Sequence, residues 1–203
     1  MITILDYGLG NRGSIVNMLK KIGADAILTS RARDIQAASK LIIPGVGAFD
    51  EGAKNLRATG LIPTLDEQVL RKKVPVLGIC LGLQLFTKDS EEGTEEGLGW
   101  IEGRTRKFKS NDNNFKIPHM GWNVIQIEQA CKLFDDLPSD SRFYFVHSYY
   151  VECSNGRNVL ATSYYGNQFA AVVGHGNIYG VQFQPEKSHR FGMQILKNFL
   201  ELT

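Results

Sequence analysis

A cysteine flanked by two glycines is the first feature of this sequence that could carry out chemistry. Cys80 lies in the run Gly-Ile-Cys-Leu-Gly at 78–82, which follows a short apolar segment. The pattern glycine-x-nucleophile-x-glycine is typical of a strained turn that presents a nucleophile between a strand and a helix. A helix that starts there directs free N–H groups at the sulfur and favours the reactive thiolate. The pattern predicts covalent catalysis by Cys80, and a buried cysteine that only packs is the alternative for so short a motif.

Two further glycine-containing segments are predicted to lie beside Cys80. The apolar runs 2–5 and 40–43 read as strands, and they lead into Gly-Leu-Gly-Asn at 8–11 and Pro-Gly-Val-Gly at 44–47. Strands that alternate with helices form a parallel sheet, and ligands bind beyond the carboxyl ends of its strands. The three segments should therefore meet in one crevice, where glycine N–H groups could form an oxyanion hole.

The elements that position these segments change character along the chain. Apolar residues spaced three and four apart predict helices at 14–22, 32–39, 50–58, 62–71 and 188–202. Strands are predicted at 2–5, 26–29, 40–43 and 76–79, and later at 142–150, 159–164, 170–174 and 178–183. Gly-Asn pairs at 166–167 and 176–177 predict hairpin turns, and 89–114 reads as a solvated loop and a strand. We expect one α/β domain over 1–203, with a central mostly parallel sheet, helices on both faces and antiparallel hairpins in the C-terminal half.

Composition excludes several classes of protein. The 203 residues are 43% hydrophobic and 22% charged, with a net charge of +2, so neither nucleic acid nor a membrane is an expected partner. The start of the chain reads as a strand and lacks the shape of a signal peptide. Cys80, Cys131 and Cys153 are far apart, which fits reduced thiols in a cytoplasmic protein. Gly8, Gly10 and Gly13 match a dinucleotide fingerprint, but no acidic residue ends the second strand. We expect no cofactor and no metal.

Five motifs occur in order along almost the whole chain. They are PGVG at 44–47, GICLGLQ at 78–84, PHMGWN at 118–123, FVHSY at 145–149 and QFQPEKS at 182–188. Together they resemble the motifs of class I glutamine amidotransferases, most closely those of the glutaminase subunits of imidazole glycerol phosphate synthases. The resemblance implies a flavodoxin-like domain whose Cys-His-Glu triad hydrolyses glutamine through a thioester. It also implies a heterodimer in which ammonia passes to a (β/α)₈-barrel subunit, as in histidine biosynthesis.

The resemblance further implies roles for individual residues. Cys80 would be the nucleophile, and Glu186 would orient the base of the triad. Glutamine would be bound around the oxyanion hole by the substrate-binding residues Val46, Gly47, Leu81, Gln84, His147, Ser148 and Tyr149. Residues facing the partner subunit and the ammonia path would be Asn11, Met120, Trp122, Asn123 and Lys187.

The sequence departs from the family at the base itself. The family motif is F-H-P-E, and this chain has Gln184 where the histidine belongs. An amide cannot exchange a proton near neutral pH, so we expect strongly impaired turnover. The substitution could be engineered, or it could mark a natural loss of activity. A third explanation is a base from elsewhere, and the candidates are His119, His147, His175 and His189.

Three functions are compatible with these residues. The leading hypothesis is a glutaminase subunit that supplies ammonia for the formation of imidazole glycerol phosphate. The first alternative is ammonia supply for the amidination of a surface-polysaccharide sugar by a similar barrel partner. The second alternative is an inactive pseudo-glutaminase that only docks on its partner or regulates it.

Overall fold

Eight strands form one continuous sheet in the computed structural model, which describes residues 1–109 and 116–202. The strands are β1 (Ile2–Leu5), β2 (Ala26–Thr29), β3 (Lys40–Gly45), β4 (Val76–Cys80), β5 (Asp89–Ser90), β6 (Gly103–Lys107), β7 (His119–Val124), β8 (Gln126–Ile127), β9 (Arg142–His147), β10 (Tyr149–Cys153), β11 (Val159–Tyr165), β12 (Asn167–His175) and β13 (Ile178–Val181). The helices are α1 (Arg12–Lys21), α2 (Ala32–Gln36), α3 (Phe49–Ala58), α4 (Ile62–Asp66), α5 (Leu81–Gln84) and α6 (His189–Glu201).

The order of strands in the large sheet is β2-β1-β3-β4-β13-β12-β11-β8. The first five strands are parallel, and the last three continue the sheet with antiparallel pairing. The expected α/β fold with a mostly parallel sheet is confirmed, and so are the hairpins β11–β12 and β12–β13. Two small sheets, β10-β6-β5 and β7-β9, lie outside this order.

Alternate side chains of the parallel strands build a core on each face of the sheet. Ile4 and Ile42 pack on one face with apolar residues of α1 and α6. Leu5 and Ile43 pack on the other face with residues of α2, α3 and α4. A parallel sheet covered on both faces explains why these strands read as continuous apolar runs in the sequence.

The turn between β4 and α5 is strained, as the glycine-x-cysteine-x-glycine pattern predicts. Cys80 has φ 53° and ψ −108°, a backbone conformation that residues other than glycine rarely adopt. A Cβ on Gly82 would lie 1.8 Å from the carbonyl oxygen of Ile43, and a Cβ on Gly78 would lie 2.7 Å from the nitrogen of Leu83. The two glycines let α5 press against β3 and β4, and this contact holds the nucleophile in its strained turn.

Several element boundaries differ from the sequence prediction because long-range partners override local patterns. The predicted strand 142–150 is broken at Ser148, since β9 pairs with β7 whereas β10 pairs with β6 in another sheet. The predicted helix 32–39 ends at Gln36, and the N–H of Ser39 bonds instead to the carbonyl of Met1. The predicted helix 62–71 is α4 followed by a π-helical turn, Glu67–Arg71. Strand β7 was not predicted, and residues 110–114 of the predicted loop lie outside the described residues.

We expect Gly82→Ala to destabilise the protein by about 3 kcal/mol or more, because the added methyl group overlaps the Ile43 carbonyl. Gly13→Ala is the matched control, since nothing lies within 4 Å of its Cβ position in α1. It should stabilise the protein by about 0.5–1 kcal/mol. Urea unfolding of both variants measures the difference, and equal stability would contradict the proposed contact.

Candidate active site

One cavity of about 280 Å³ lies beyond the carboxyl ends of β3 and β4. It brings together two of the three segments that were predicted to converge, the loop after β3 and the turn at Cys80, and Gln184 joins them. Residues 8–11 do not line it, although Asn11 donates a hydrogen bond to Gln184. The lining residues are Val46, Gly47, Cys80, Leu81, Gln84, Glu92, Pro118, Val146, His147, Ser148, Tyr149 and Gln184. All the predicted substrate-binding residues therefore border the same space as the predicted nucleophile.

The Cys80 thiol is buried, and burial raises its pKa to about 11. The N–H of Leu81 at the start of α5 and the side chains of Gln184 and Gln182 favour the thiolate, so they lower this pKa. The charge of Glu186 acts in the opposite direction. Since burial is the largest effect, Cys80 is a protonated thiol at neutral pH and needs a base before it can attack a substrate.

Gln184 and Glu186 are held together by the side chain of Asn11. The amide nitrogen of Asn11 donates to Gln184 Oε1 at 3.0 Å and to Glu186 Oε1 at 2.9 Å. A carboxylate can only accept, so this atom of Asn11 is a nitrogen and its other partner must be the Gln184 carbonyl. The amide nitrogen of Gln184 must then point away from Asn11.

Two polar atoms are left unpaired around Gln184. Its own Nε2 and the Oε2 of Glu186 are both fully buried without a hydrogen-bond partner among the described residues. Each such atom costs about 1–3 kcal/mol. A histidine at 184 could offer a donor to Glu186 and an acceptor to the thiol at the same time, which the amide in this position does not do. The site therefore has a thiol and a carboxyl group without a side chain at 184 that can carry a proton between them.

All four histidines lie in the described part of the chain, and each has partners other than Cys80. His175 contacts Asn158, and His189 stacks on Trp122 with the ring centroids 5.4 Å apart. His119 Nδ1 lies 3.0 Å from His147 Nε2, and His147 Nδ1 lies 2.8 Å from the Tyr149 carbonyl. Burial lowers the pKa of His119 to about 4 and that of His147 to about 3. Both rings of this pair are neutral and weak bases, and the geometry favours none of the four as a replacement.

The segment after β3 forms the opposite wall of the cavity. Tyr7 donates a hydrogen bond of 2.6 Å to the Pro44 carbonyl, and Gly45 leaves room for the Tyr7 hydroxyl and for the backbone of Gly82. Gly47 has φ +114°, which a side chain would make unfavourable. Val46 and Leu81 therefore border Cys80 from two sides, where backbone N–H groups can stabilise a negative oxygen.

Glu92 is a cavity residue that the sequence did not single out. The acidic run 90–96 reads as a solvated loop, yet Glu92 accepts a 2.8 Å hydrogen bond from the N–H of Phe49. Burial raises the pKa of its carboxyl group. Only the folded chain brings this loop back over α3, so no local pattern could have identified it.

The residues expected to face a partner do not form one group. Met120 and Trp122 are 60% and 47% exposed, and they project from the same side of β7. Lys187 lies over the ring of Tyr144, with its Nζ 5.5 Å from the centroid. Asn123 donates to the Tyr164 carbonyl, while Asn11 is bonded to Gln184 and Glu186 as described above. Asn11 thus lies beside Gln184 and Glu186 and is not grouped with the exposed side chains of β7.

Within residues 1–109 and 116–202, no helix is long and apolar enough to cross a membrane. The same residues contain no group of three or more histidine, cysteine, aspartate or glutamate side chains that could hold a metal ion.

The chain is similar to known proteins over almost its whole length. Residues 3–202 match the family described as "Glutamine amidotransferase class-I". The chain is 55% identical to "Imidazole glycerol phosphate synthase subunit HisH 2" of Methanococcus maripaludis over 201 residues, 99% of each chain. It is 48% identical to the protein of the same name in Pseudomonas aeruginosa over 203 residues, 100% of each chain. Its fold is similar to a solved structure titled "Crystal structure of glutamine amidotransferase", with TM-score 0.71, 20% identity and coverage of 98% and 97%.

We expect iodoacetamide to alkylate Cys80 slowly at pH 7, because a thiol with a pKa of about 11 has only about one thiolate in ten thousand. The rate should rise about tenfold for each pH unit up to pH 10. Peptide mass spectrometry after timed quenching measures it, and the urea-unfolded chain is the control. An alkylation rate at pH 7 equal to that of the unfolded chain would contradict the raised pKa of the buried Cys80 thiol.

Proposed function

Because this chain belongs to the class I glutamine amidotransferases, a family of enzymes, we propose that it is the glutaminase subunit of an imidazole glycerol phosphate synthase. The observation that carries the proposal is the cavity in which the strained Cys80 meets Gln184, with Glu186 joined to Gln184 through Asn11. The names of the relatives from M. maripaludis and P. aeruginosa support the choice of synthase. The cytoplasm is the compartment that fits its three free cysteines.

The proposed reaction is acyl transfer to the sulfur of Cys80. The thiolate attacks the side-chain carbonyl carbon of glutamine, and the oxygen that becomes negative receives N–H groups at Val46 and Leu81. The carbon–nitrogen bond breaks when the leaving nitrogen takes a proton, which releases ammonia and leaves a thioester. Water then hydrolyses the thioester to glutamate and restores the thiol.

The substrate would lie along β9, β10 and the loop after β3. Gly47, His147, Ser148 and Tyr149 border the cavity and would contact the glutamine. The side-chain nitrogen of Gln84 already donates two hydrogen bonds, to the Tyr149 carbonyl at 2.9 Å and to Gln182 Oε1 at 3.1 Å. Only its carbonyl oxygen is left for a ligand.

Gln184 impairs both proton transfers of thioester formation. It cannot take the proton of Cys80, and it cannot deliver a proton to the leaving nitrogen. The remaining hydrogen-bond donors and the binding site would leave a low residual rate. A protein with this cavity and this substitution would bind glutamine and turn it over slowly. Retention of Cys80 and Glu186 fits a triad that lacks only its base.

The partner would be a (β/α)₈-barrel subunit that docks on the exposed side of β7. Met120 and Trp122 present apolar surface there, and exposed apolar side chains are typical of interfaces. Asn123 and Lys187 would border this surface on the path of ammonia. The chain would act in the biosynthesis of histidine as one half of a heterodimer.

A second function is ammonia supply for the amidination of a surface-polysaccharide sugar. What supports it is the segment KSHRFGM at 187–193, which resembles that of glutaminases paired with sugar-amidinating barrels. A purified partner subunit decides between the two functions when it is given glutamine with either acceptor. The third candidate, a pseudo-glutaminase that only docks, rests on Gln184 alone.

We expect Gln184→His to raise glutaminase activity by a factor of roughly 10³ or more, because the ring can exchange protons with Cys80. The measurement is glutamate release in the presence of the barrel subunit and its ligand. The matched control is the double variant Cys80→Ala with Gln184→His, which should release none.

The outcomes of this experiment separate the three candidates. Equal and readily measured activity with Gln184 and with histidine would refute the triad assignment. Absence of activity in both, with normal docking on the partner, would favour the pseudo-glutaminase.

We expect Met120→Asp to weaken binding of the barrel subunit at least tenfold, because a charge replaces exposed apolar surface on β7. Leu70→Asp is the control, since Leu70 is 40% exposed on the π-helical turn away from β7. Titration calorimetry with the purified partner measures both affinities. Equal affinity of both variants for the partner would contradict the proposal that β7 lies in the interface.

A further inference from the structure

A chain of hydrogen bonds ends at the Cys80 sulfur and has no assigned role. Gln182 follows β13 directly, its side chain is completely buried, and its Nε2 lies 3.6 Å from Cys80 Sγ. Its Oε1 accepts from Gln84, which also donates to the carbonyl of Tyr149. The chain therefore runs from Tyr149 through Gln84 and Gln182 to the nucleophile.

The direction of each bond in this chain is fixed by chemistry. The Tyr149 carbonyl can only accept, so the atom of Gln84 that faces it must be the amide nitrogen. The same nitrogen contacts Gln182, so the atom of Gln182 that it meets must be the carbonyl oxygen. The nitrogen of Gln182 is then the atom directed at Cys80.

The imidazole pair secures the other end of the chain. His147 Nδ1 also lies 2.8 Å from the Tyr149 carbonyl and must be the protonated nitrogen there. His147 Nε2 then accepts from His119 Nδ1 at 3.0 Å, so both rings have a defined tautomer. The Tyr149 carbonyl is held by two donors, and it cannot rotate away from Gln84 without losing both.

We propose that Gln182 is a catalytic residue of the glutaminase reaction, whose amide donates to the sulfur of Cys80 and stabilises the thiolate. The inference rests on the proposed function, because it assigns a role in that reaction. A donor next to sulfur helps when the sulfur is negative, which is when it attacks glutamine and when it leaves the thioester. This donor stabilises the neutral thioester less than the thiolate. It therefore favours the two steps in which the sulfur is negative.

Two variants of Gln182 test the proposal through the reactivity of Cys80. Gln182→Met keeps the volume and removes the donor, and we expect alkylation of Cys80 by iodoacetamide at pH 8 to slow about three- to tenfold. Gln182→Glu keeps the acceptor for Gln84 and places a carboxylate beside the sulfur. It should slow alkylation more than tenfold and move the pH profile upward.

The matched control is Gln68→Met. Gln68 is buried on the π-helical turn, and its Nε2 has no partner in the described structure. Alkylation of Cys80 should keep the rate of the parent chain in this variant. Circular dichroism and urea unfolding identify variants that fail to fold. If Gln182→Met does not fold, the alkylation rate of Gln182→Glu tests the proposal.

The two proposals fail in different ways. Alkylation of Cys80 at the parent rate in folded Gln182→Met or Gln182→Glu would overturn the role of Gln182, whatever the glutaminase activity. Slower alkylation together with an inactive Gln184→His variant would keep the thiolate donor and reject the proposed function. In the Gln184→His background, Gln182→Met should lower kcat by a factor similar to that seen in alkylation, with little change in KM.

Discussion

The close approach of α5 to β3 is the constraint on which the site depends. The Cα of Gly82 lies so near the Ile43 carbonyl that any side chain there would overlap it. This contact fixes the start of α5 against two strands and keeps Cys80 in a conformation that it would otherwise leave. The conformational strain of this turn is offset by the packing of the two apolar cores on the faces of the sheet. A rigid sheet thereby supplies the position of the nucleophile at no cost during the reaction.

Position and activation of the nucleophile are separate problems in this protein. Burial of Cys80 keeps water away from a substrate that is bound beside it, and the same burial raises the pKa of its thiol. The N–H of Leu81 and the amide of Gln182 offset part of that effect, but neither can accept a proton. A base must supply the rest. In the proposed reaction Gln184 stands in the place of that base, so the chain would form the Cys80 thiolate poorly.

Amide groups around the cavity act as an ordered set. The carboxylate of Glu186 determines how Asn11 is oriented, and Asn11 determines the orientation of Gln184. On the other side of Cys80, the carbonyl of Tyr149 orients Gln84, and Gln84 orients Gln182. The amide of Gln182 presents its nitrogen to the sulfur as a result. Fixed donors of this kind are effective because they need not reorganise when charge develops.

Local pattern alone determined the first four parallel strands and the strained turn at Cys80. Alternating apolar strands and amphipathic helices gave the first four strands, and two glycines around Cys80 gave the elbow, because both signals depend only on neighbouring residues. The motif with Gln184 and Glu186 pointed by resemblance to the rest of the proposed triad. Tertiary structure alone decided that Asn11 joins these two residues, that Glu92 reaches the cavity and that Gln182 meets the sulfur. Those contacts link segments 43 to 175 positions apart, and no periodicity in a sequence records such distances.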